Sequence, residues 1–137
     1  MLEVRFRRDS RNRLSSVVSR GHADAADHGE DVVCAAVSAL LQAAWAGLTD
    51  VAGVKVHGRR LPGDFSMTWP EAARDRADVD AIVRTAELAV EQIAKQREYR
   101  RYVRYLREVE PDPEPSRAKA KRAGQNRGTP ASKGTAR

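Results

Sequence analysis

MLEVRFRRDSRNRLSSVVSR, residues 1–20, is the stretch that decides the fold. Its apolar positions Leu2, Val4 and Phe6 alternate with charged residues, which is the two-residue period of a half-buried β-strand. A polar segment rich in the turn formers Asp, Ser and Asn then leads into a second apolar–polar stretch over 14–19. Two such stretches joined by a short polar link predict a β-hairpin at the start of the domain.

The apolar period lengthens to three and four residues after this hairpin. The new pattern predicts a helix with one apolar face, formed by Val33, Val37, Leu40, Leu41, Ala44 and Leu48. Gly47 predicts the end of the helix, because glycine commonly terminates helices. Alternating apolar residues over 52–56 and 65–69 then predict a second hairpin, with its turn at 58–63.

A second helix is predicted to start at Pro70, since proline is tolerated in the first turn. Its apolar stripe runs over 79–93, and the apolar residues over 99–106 predict a continuation to about residue 109. The order is therefore strand, strand, helix, strand, strand, helix. We expect an α+β two-layer sandwich, in which two helices cover one face of a four-stranded sheet.

The size and composition limit the location and class of the protein. A chain of 137 residues with 41% hydrophobic residues can build one domain with a real core. We expect no apolar run that approaches the roughly 20 residues needed to span a bilayer, and the charged N-terminus does not resemble a signal peptide. The single cysteine excludes an intramolecular disulfide framework. We expect a cytoplasmic protein with no membrane contact.

The charge divides the chain into a neutral body and a basic tail. Residues 1–110 carry 18 Lys and Arg against 17 Asp and Glu, whereas residues 111–137 carry seven against two. The tail begins with three alternating prolines and contains no aliphatic side chain larger than alanine, so it cannot bury enough surface to order itself. We predict a folded domain over 1–109 and a disordered proline-rich linker and basic tail over 110–137.

The stretch between the first hairpin and the first helix contains a candidate site for nucleophilic chemistry. His22 directly follows the second strand, and Cys34 is predicted in the first turn of the helix, with Asp31 as its N-cap. A helix N-terminus favours the thiolate, and its free N–H groups could hold an oxyanion. A neighbouring histidine can accept the thiol proton and return it to a leaving amine.

The same residues also have plainer interpretations. A cysteine in an alanine-rich helix is usually a small buried hydrophobe. A metal site built from His22, His28 and Cys34 would lack the compact ligand pair of a zinc signature. No metal or other cofactor is therefore expected.

Two segments resemble the signature of the ribosomal-processing cysteine protease family (Prp). They are Gly21-His22-Ala23 and the run Asp-Val-Val-Cys-Ala-Ala-Val-Ser-Ala-Leu over 31–40, where the family has Asp-Ile-Val-Cys-Ala-Ala-Val-Ser. The resemblance extends over residues 1 to about 109. The loop differs, because Asp24-Ala25-Ala26-Asp27-His28 stands where the family often has a glycine and an aromatic residue.

The resemblance implies a specific reaction. The family removes a short N-terminal extension from the precursor of protein twenty-seven of the large ribosomal subunit, a step needed for ribosome assembly, and its members are usually homodimers. Cys34 would be the nucleophile and His22 the base, with a mobile loop over 23–30 that admits the peptide. Gly21, Asp31 and Ser38 would support them: Asp31 more as a cap than as a third catalytic group, and Ser38 either near the site or bonded back to the Cys34 carbonyl.

A second function remains open on the sequence alone. The chain could be a non-enzymatic ribosome-associated protein with an inert Cys34, in which the basic tail contacts RNA through charge. The tail could equally be a solvated appendage. The intact His22 and Cys34 favour the protease.

Overall fold

A computed structural model of the protein describes residues 1–21 and 28–111, with the backbone alone for residues 28–30. Within these ranges, five strands and two long helices form two layers. The strands are β1 (Leu2–Arg8), β2 (Leu14–Arg20), β3 (His57–Leu61), β4 (Asp64–Thr68) and β5 (Val103–Val109). The helices are α1 (His28–Ala46) and α2 (Ala77–Lys95). A π-helical segment, Gly47–Val51, follows α1, and a 3-10 turn, Glu71–Ala73, precedes α2.

The strands form one mixed sheet in the order β3-β4-β2-β1-β5. The first predicted hairpin is confirmed, because β1 and β2 pair antiparallel, with Phe6 opposite Val17. The turn between them places Asn12 at a φ of 61°, a conformation that asparagine tolerates better than most residues. β2 also pairs antiparallel with β4, so the two hairpins meet at the centre of the sheet.

The core lies between the sheet and the two helices. Alternate residues of β1 point into it, and the same face carries Val17, Phe65 and Met67 from the neighbouring strands. The helices meet this face with buried aliphatic residues, which include Val33, Val37 and Leu41 of α1 and Val79, Val83 and Val90 of α2. Each such side chain contributes about 1.5–3 kcal/mol through burial. The predicted two-layer arrangement with both helices on one face is confirmed.

The sheet has five strands, so the prediction of four was too low. The segment expected to extend α2 instead forms β5, which runs parallel to β1 with Leu2 opposite Val103. The helix ends at Lys95, because Gln96 adopts an extended conformation with a ψ of 133°. Tyr99, Tyr102 and Val103 imitate a helical spacing, but their last member begins a strand that covers the edge of β1.

The first strand of the second hairpin lies further along the chain than predicted. The strand expected over 52–56 is observed as β3 at His57–Leu61, inside the region predicted to be a turn. The turn itself consists of Pro62 and Gly63, and Gly63 has a φ of 73°. A proline followed by a residue of positive φ is the pattern of a type II turn, which explains why this hairpin is so tight.

The segment Asp31–Val51, which includes most of α1, is long and apolar enough to cross a membrane by length and composition alone. The expectation that no such segment exists was therefore wrong on these two criteria. The core helix of a globular domain passes the same test, and α1 packs on the sheet through Val33, Val37 and Leu41. We assign it to the core layer of the domain.

A network of charged residues joins α2 to the sheet at the end of β1. Glu87 of α2 is fully buried and accepts two hydrogen bonds from Arg8, at 2.8 and 2.7 Å, one from Arg84 at 2.6 Å and one from the Tyr105 hydroxyl at 3.0 Å. Burial acts to raise the pKa of Glu87, but the hydrogen bonds and charges of the arginines outweigh it and lower that pKa. Burial and the nearby Glu87 raise the pKa of Tyr105 to about 12, so its hydroxyl stays a donor.

Asp9 holds the adjoining turn. Its carboxylate accepts hydrogen bonds from the backbone N–H groups of Arg11 and Arg13 at 3.0 Å and from the side chains of Arg13 and Arg74 at 3.0 and 3.1 Å. Burial acts to raise the pKa of Asp9, but these donors outweigh it and lower the pKa to about 2. The turn is therefore tied to the segment before α2.

Candidate active site

Gly21 directly follows β2 and occupies a position that only glycine fits. Its φ is +102°, and a Cβ atom there would lie 2.3 Å from the Met1 carbonyl oxygen. Its N–H donates to the Gly63 carbonyl at 3.1 Å, which ties the end of β2 to the turn of the second hairpin. Gly21 therefore fixes the direction in which the chain leaves the sheet toward His22.

Cys34 lies on α1 with its side chain partly exposed. The helix begins at His28, so Cys34 is its seventh residue and lies in the second turn, not in the first as predicted. Asp31 is an exposed residue inside the helix, so its predicted role as N-cap was wrong. The unpaired N–H groups of a helix belong to its first four residues, so the N–H of Cys34 is not among them.

This placement changes the chemistry expected of Cys34. The field of the helix terminus falls off within the first turn, so it supports the thiolate less than the sequence suggested. The backbone N–H of Cys34 is also engaged within the helix, so an oxyanion would need other donors. A nucleophilic thiol at this position would therefore depend more on a neighbouring base than the sequence suggested.

A groove of about 500 Å³ runs between α1 and the β3–β4 turn, and Cys34 lines it. The other lining residues come from both hairpins and α1 and include Leu2, Ser19, Gly21, Ser38, Leu41, Gln42, Arg60, Pro62, Gly63, Asp64 and Phe65. Ser38 lies one helical turn after Cys34 and shares the groove with it, as predicted from their spacing. The structure thus brings Gly21, Cys34 and Ser38 to one concave surface.

His22 lies outside the described residues, as do residues 23–27 and the side chains of residues 28–30. The predicted pairing of His22 with Cys34 therefore stays a prediction, and so does the mobile loop over 23–30, apart from the last three residues, whose backbone is the first turn of α1. Gly21, the chain neighbour of His22, lines the groove. Within the described part of the chain, no group of three His, Cys, Asp or Glu side chains is placed to hold a metal ion.

The sequence did not indicate the wall of the groove opposite α1. Arg60 and Phe65, which face each other across β3 and β4, form this wall. Arg60 falls within the turn predicted at 58–63, whereas Phe65 lies on a predicted strand whose pairing with Arg60 was not predicted. The pair Pro62-Gly63, followed by alternating polar and apolar residues over 64–68, was the signal that could have located the turn and so the wall.

Comparison with known proteins agrees with this arrangement. The family model for the cysteine protease Prp matches residues 1–104, whereas a search of curated proteins finds no match. Among solved structures, the essential ribosomal processing protease Prp from S. aureus in complex with a substrate peptide is 20% identical, with a TM-score of 0.69. The alignment covers 78% of this chain and 99% of that one.

Two further structures are similar in fold. The S. aureus protease with a covalently linked product peptide is 21% identical at a TM-score of 0.66, and covers 78% of this chain and 99% of that chain. SMU.848 from Streptococcus mutans is 23% identical at a TM-score of 0.67, with 80% and 96% of the two chains covered. Because the family model spans most of the folded domain, this chain belongs to the family of the cysteine protease Prp.

Proposed function

We propose that this protein removes the N-terminal extension from the precursor of protein twenty-seven of the large ribosomal subunit. The observation that carries the proposal is the position of Cys34, the single cysteine, in a groove large enough for an extended peptide, within a chain of the Prp family. The related S. aureus enzyme is described as an essential ribosomal processing protease.

The proposed mechanism uses Cys34 and His22 as a dyad. His22 takes the proton from the Cys34 thiol, and the sulfur attacks the scissile carbonyl carbon to give a tetrahedral intermediate. Collapse of this intermediate breaks the C–N bond, and the imidazolium returns its proton to the leaving amine. Water, activated by the same imidazole, then hydrolyses the thioester and frees the extension.

Two observations support this mechanism. Gly21 holds the chain in a conformation closed to other residues, immediately before His22 and beside the groove. The S. aureus protease has been observed with a covalently linked product peptide, and a covalent adduct is what a nucleophilic cysteine forms.

The proposal also covers the oligomeric state and the cellular location of the protein. The resemblance to the family favours a homodimer in the cytoplasm, and light scattering coupled to gel filtration would give the mass directly. A mass near twice 15.2 kDa supports the dimer, and a mass near 15.2 kDa contradicts it.

The basic tail is proposed to strengthen contact with ribosomes through charge. Seven Lys and Arg against two Asp and Glu favour polyanions without sequence preference. Removal of residues 111–137 should weaken ribosome binding in pull-down assays at low salt and leave peptide cleavage unchanged. Equal ribosome binding by both forms would leave the tail as a solvated appendage.

The direct test is cleavage of the ribosomal protein with and without its extension. Mass spectrometry should show one new N-terminus from the extended form and no change in the mature form. If the extended form is bound but never cut, the protein is a ribosome-associated binding protein instead. If neither form is bound or cut, the substrate assignment is wrong.

A further inference from the structure

Arg60 of β3 lines the groove, and its guanidinium packs against the Trp45 ring. Its guanidinium carbon lies 4.5 Å from the centre of the Trp45 ring, close enough for a cation–π interaction. Trp45 in turn meets Phe65 edge to face, with ring centres 6.0 Å apart. The guanidinium is therefore held in place by stacking.

The positive charge of Arg60 has no carboxylate partner within the described part of the protein. Its backbone pairs within the sheet, but its side chain makes no hydrogen bond or ion pair with any described residue. Its neighbour Arg59 behaves differently, because it lies on the opposite face of β3 and pairs with Asp64 at 3.3 Å. Arg20 also binds Asp64, at 2.8 Å. Among the described residues that line the groove, the one carboxylate is thus already shared by two other arginines, and the Arg60 guanidinium keeps N–H donors that no described residue uses.

The spacing along α1 relates Arg60 to the nucleophile. Cys34, Ser38, Gln42 and Trp45 follow one another at intervals of three and four residues, so they share one side of the helix. Cys34 and Trp45 are eleven residues apart, which corresponds to about 16 Å along the axis. An extended peptide covers about 3.3 Å per residue, so about five residues separate the two points.

We propose that Arg60 is a specificity-determining residue that binds an acidic side chain of the substrate, four to six residues from the scissile bond. The inference rests on the proposed protease function. The planar fork of arginine suits a carboxylate, and the indole under it limits the entropy lost when the pair forms. A lysine at the same substrate position would be repelled.

Peptides with a single variable position test this inference. In a cleavable peptide, Glu, Gln or Lys is placed four, five or six residues before or after the scissile bond, and kcat/KM is measured for each. The parent enzyme should prefer Glu over Gln by about three- to tenfold at one or two adjacent positions on one side, since exposed ion pairs contribute modestly. The preference should shrink at high salt.

Two variants assign the preference to Arg60. Arg60→Gln should bring the ratio of Glu to Gln peptides close to one, and Arg60→Glu should prefer the Lys peptide. Arg59→Gln is the matched control, because it removes the same charge from the other face of the strand and should keep the parental ratio. Circular dichroism melting checks that each variant folds.

The outcomes separate this inference from the function on which it rests. If the parent cleaves the peptides with no preference at any position, or if Arg60→Gln keeps the preference, Arg60 is not a specificity residue. The proposed protease function remains supported in both cases. If the parent cleaves none of the peptides, the proposed function fails and the inference falls with it.

Discussion

The two ends of the sheet, one at Gly21 and the other at Arg8, differ in burial and in how their charged side chains are paired. The seven residues of β1 separate them by about 20 Å. Arg8 and Asp9 lie in a buried network of arginines and carboxylates, whereas Gly21 borders an open groove with a partly exposed thiol and an arginine that has no described carboxylate partner. The comparison teaches that the buried ion pairs of the fold lie at the opposite end of the sheet from the groove that we propose binds the substrate.

This separation has a testable meaning. Substitutions of groove side chains such as Cys34 should change the rate of cleavage much more than the stability, whereas Gly21 itself is excepted because a Cβ there would clash with the Met1 carbonyl. Substitutions at the Arg8 end should change the free energy of unfolding and leave the rate per folded molecule nearly unchanged.

The largest expected effect is that of His22 on catalysis. His22→Ala should lower the cleavage rate at least about a hundredfold, the lower range for loss of a general base. Alkylation of Cys34 by iodoacetamide should slow as well, because the thiolate loses its partner. The melting temperature should change little, since the described core is formed by other residues.

His28→Ala is the matched control for His22. It removes a second histidine from the same stretch of the chain and should change neither the cleavage rate nor the alkylation rate. Loss of activity in this variant, with activity kept in His22→Ala, would show that the base was assigned to the wrong histidine.

Next in size is the effect of Glu87 on stability. Glu87→Gln leaves the buried Arg8 charge without its carboxylate, which should lower the free energy of unfolding by about 3–5 kcal/mol in urea titrations. Glu91→Gln, one turn along α2, removes a carboxylate that pairs with the exposed Lys95 and should cost less than about 1 kcal/mol. Equal effects of the two substitutions would mean that the buried network contributes no more than a surface pair.

A smaller effect is expected from Asp9 as the pH falls. The pKa of Asp9 is about 2 in the folded protein against an ordinary value of 3.8, so the folded state favours the charged form. This contribution, about 2 kcal/mol, is complete above about pH 4 and is lost as the pH falls toward 2. The stability difference between the parent and Asp9→Asn should therefore shrink over this interval. A difference that stays constant from pH 6 to pH 2 would contradict the assignment.

The sequence predicted the parts of the fold that depend on local periodicity. The alternation at Leu2, Val4 and Phe6 and the apolar stripe of α1 each report directly on which side chains face the core. β5 was missed because Tyr99, Tyr102 and Val103 fit a helical spacing, and only pairing with β1, some hundred residues earlier, decides in favour of a strand. Local patterns do not encode such long-range pairing.

The candidate site was predictable to a similar extent. Gly21, Cys34 and Ser38 belong to the two segments that resemble the family signature, and the structure places all three at one groove. The start of α1 was predicted four residues too late, since Asp31 is a good capping residue by type and would make Val32 the first helical residue, whereas the helix begins at His28. Arg60 could not be found, because its role depends on the register of β3 against β4.

The central claim is that the thiol in the groove performs the cleavage, and Cys34→Ala tests it most directly. The substitution removes one sulfur atom from a partly exposed position, so the circular dichroism spectrum and the melting temperature should match those of the parent within a few degrees. Cleavage of the extended ribosomal precursor should fall to the uncatalysed rate, because Cys34 is the single thiol of the chain. A folded Cys34→Ala protein that still cleaves the precursor would contradict the account.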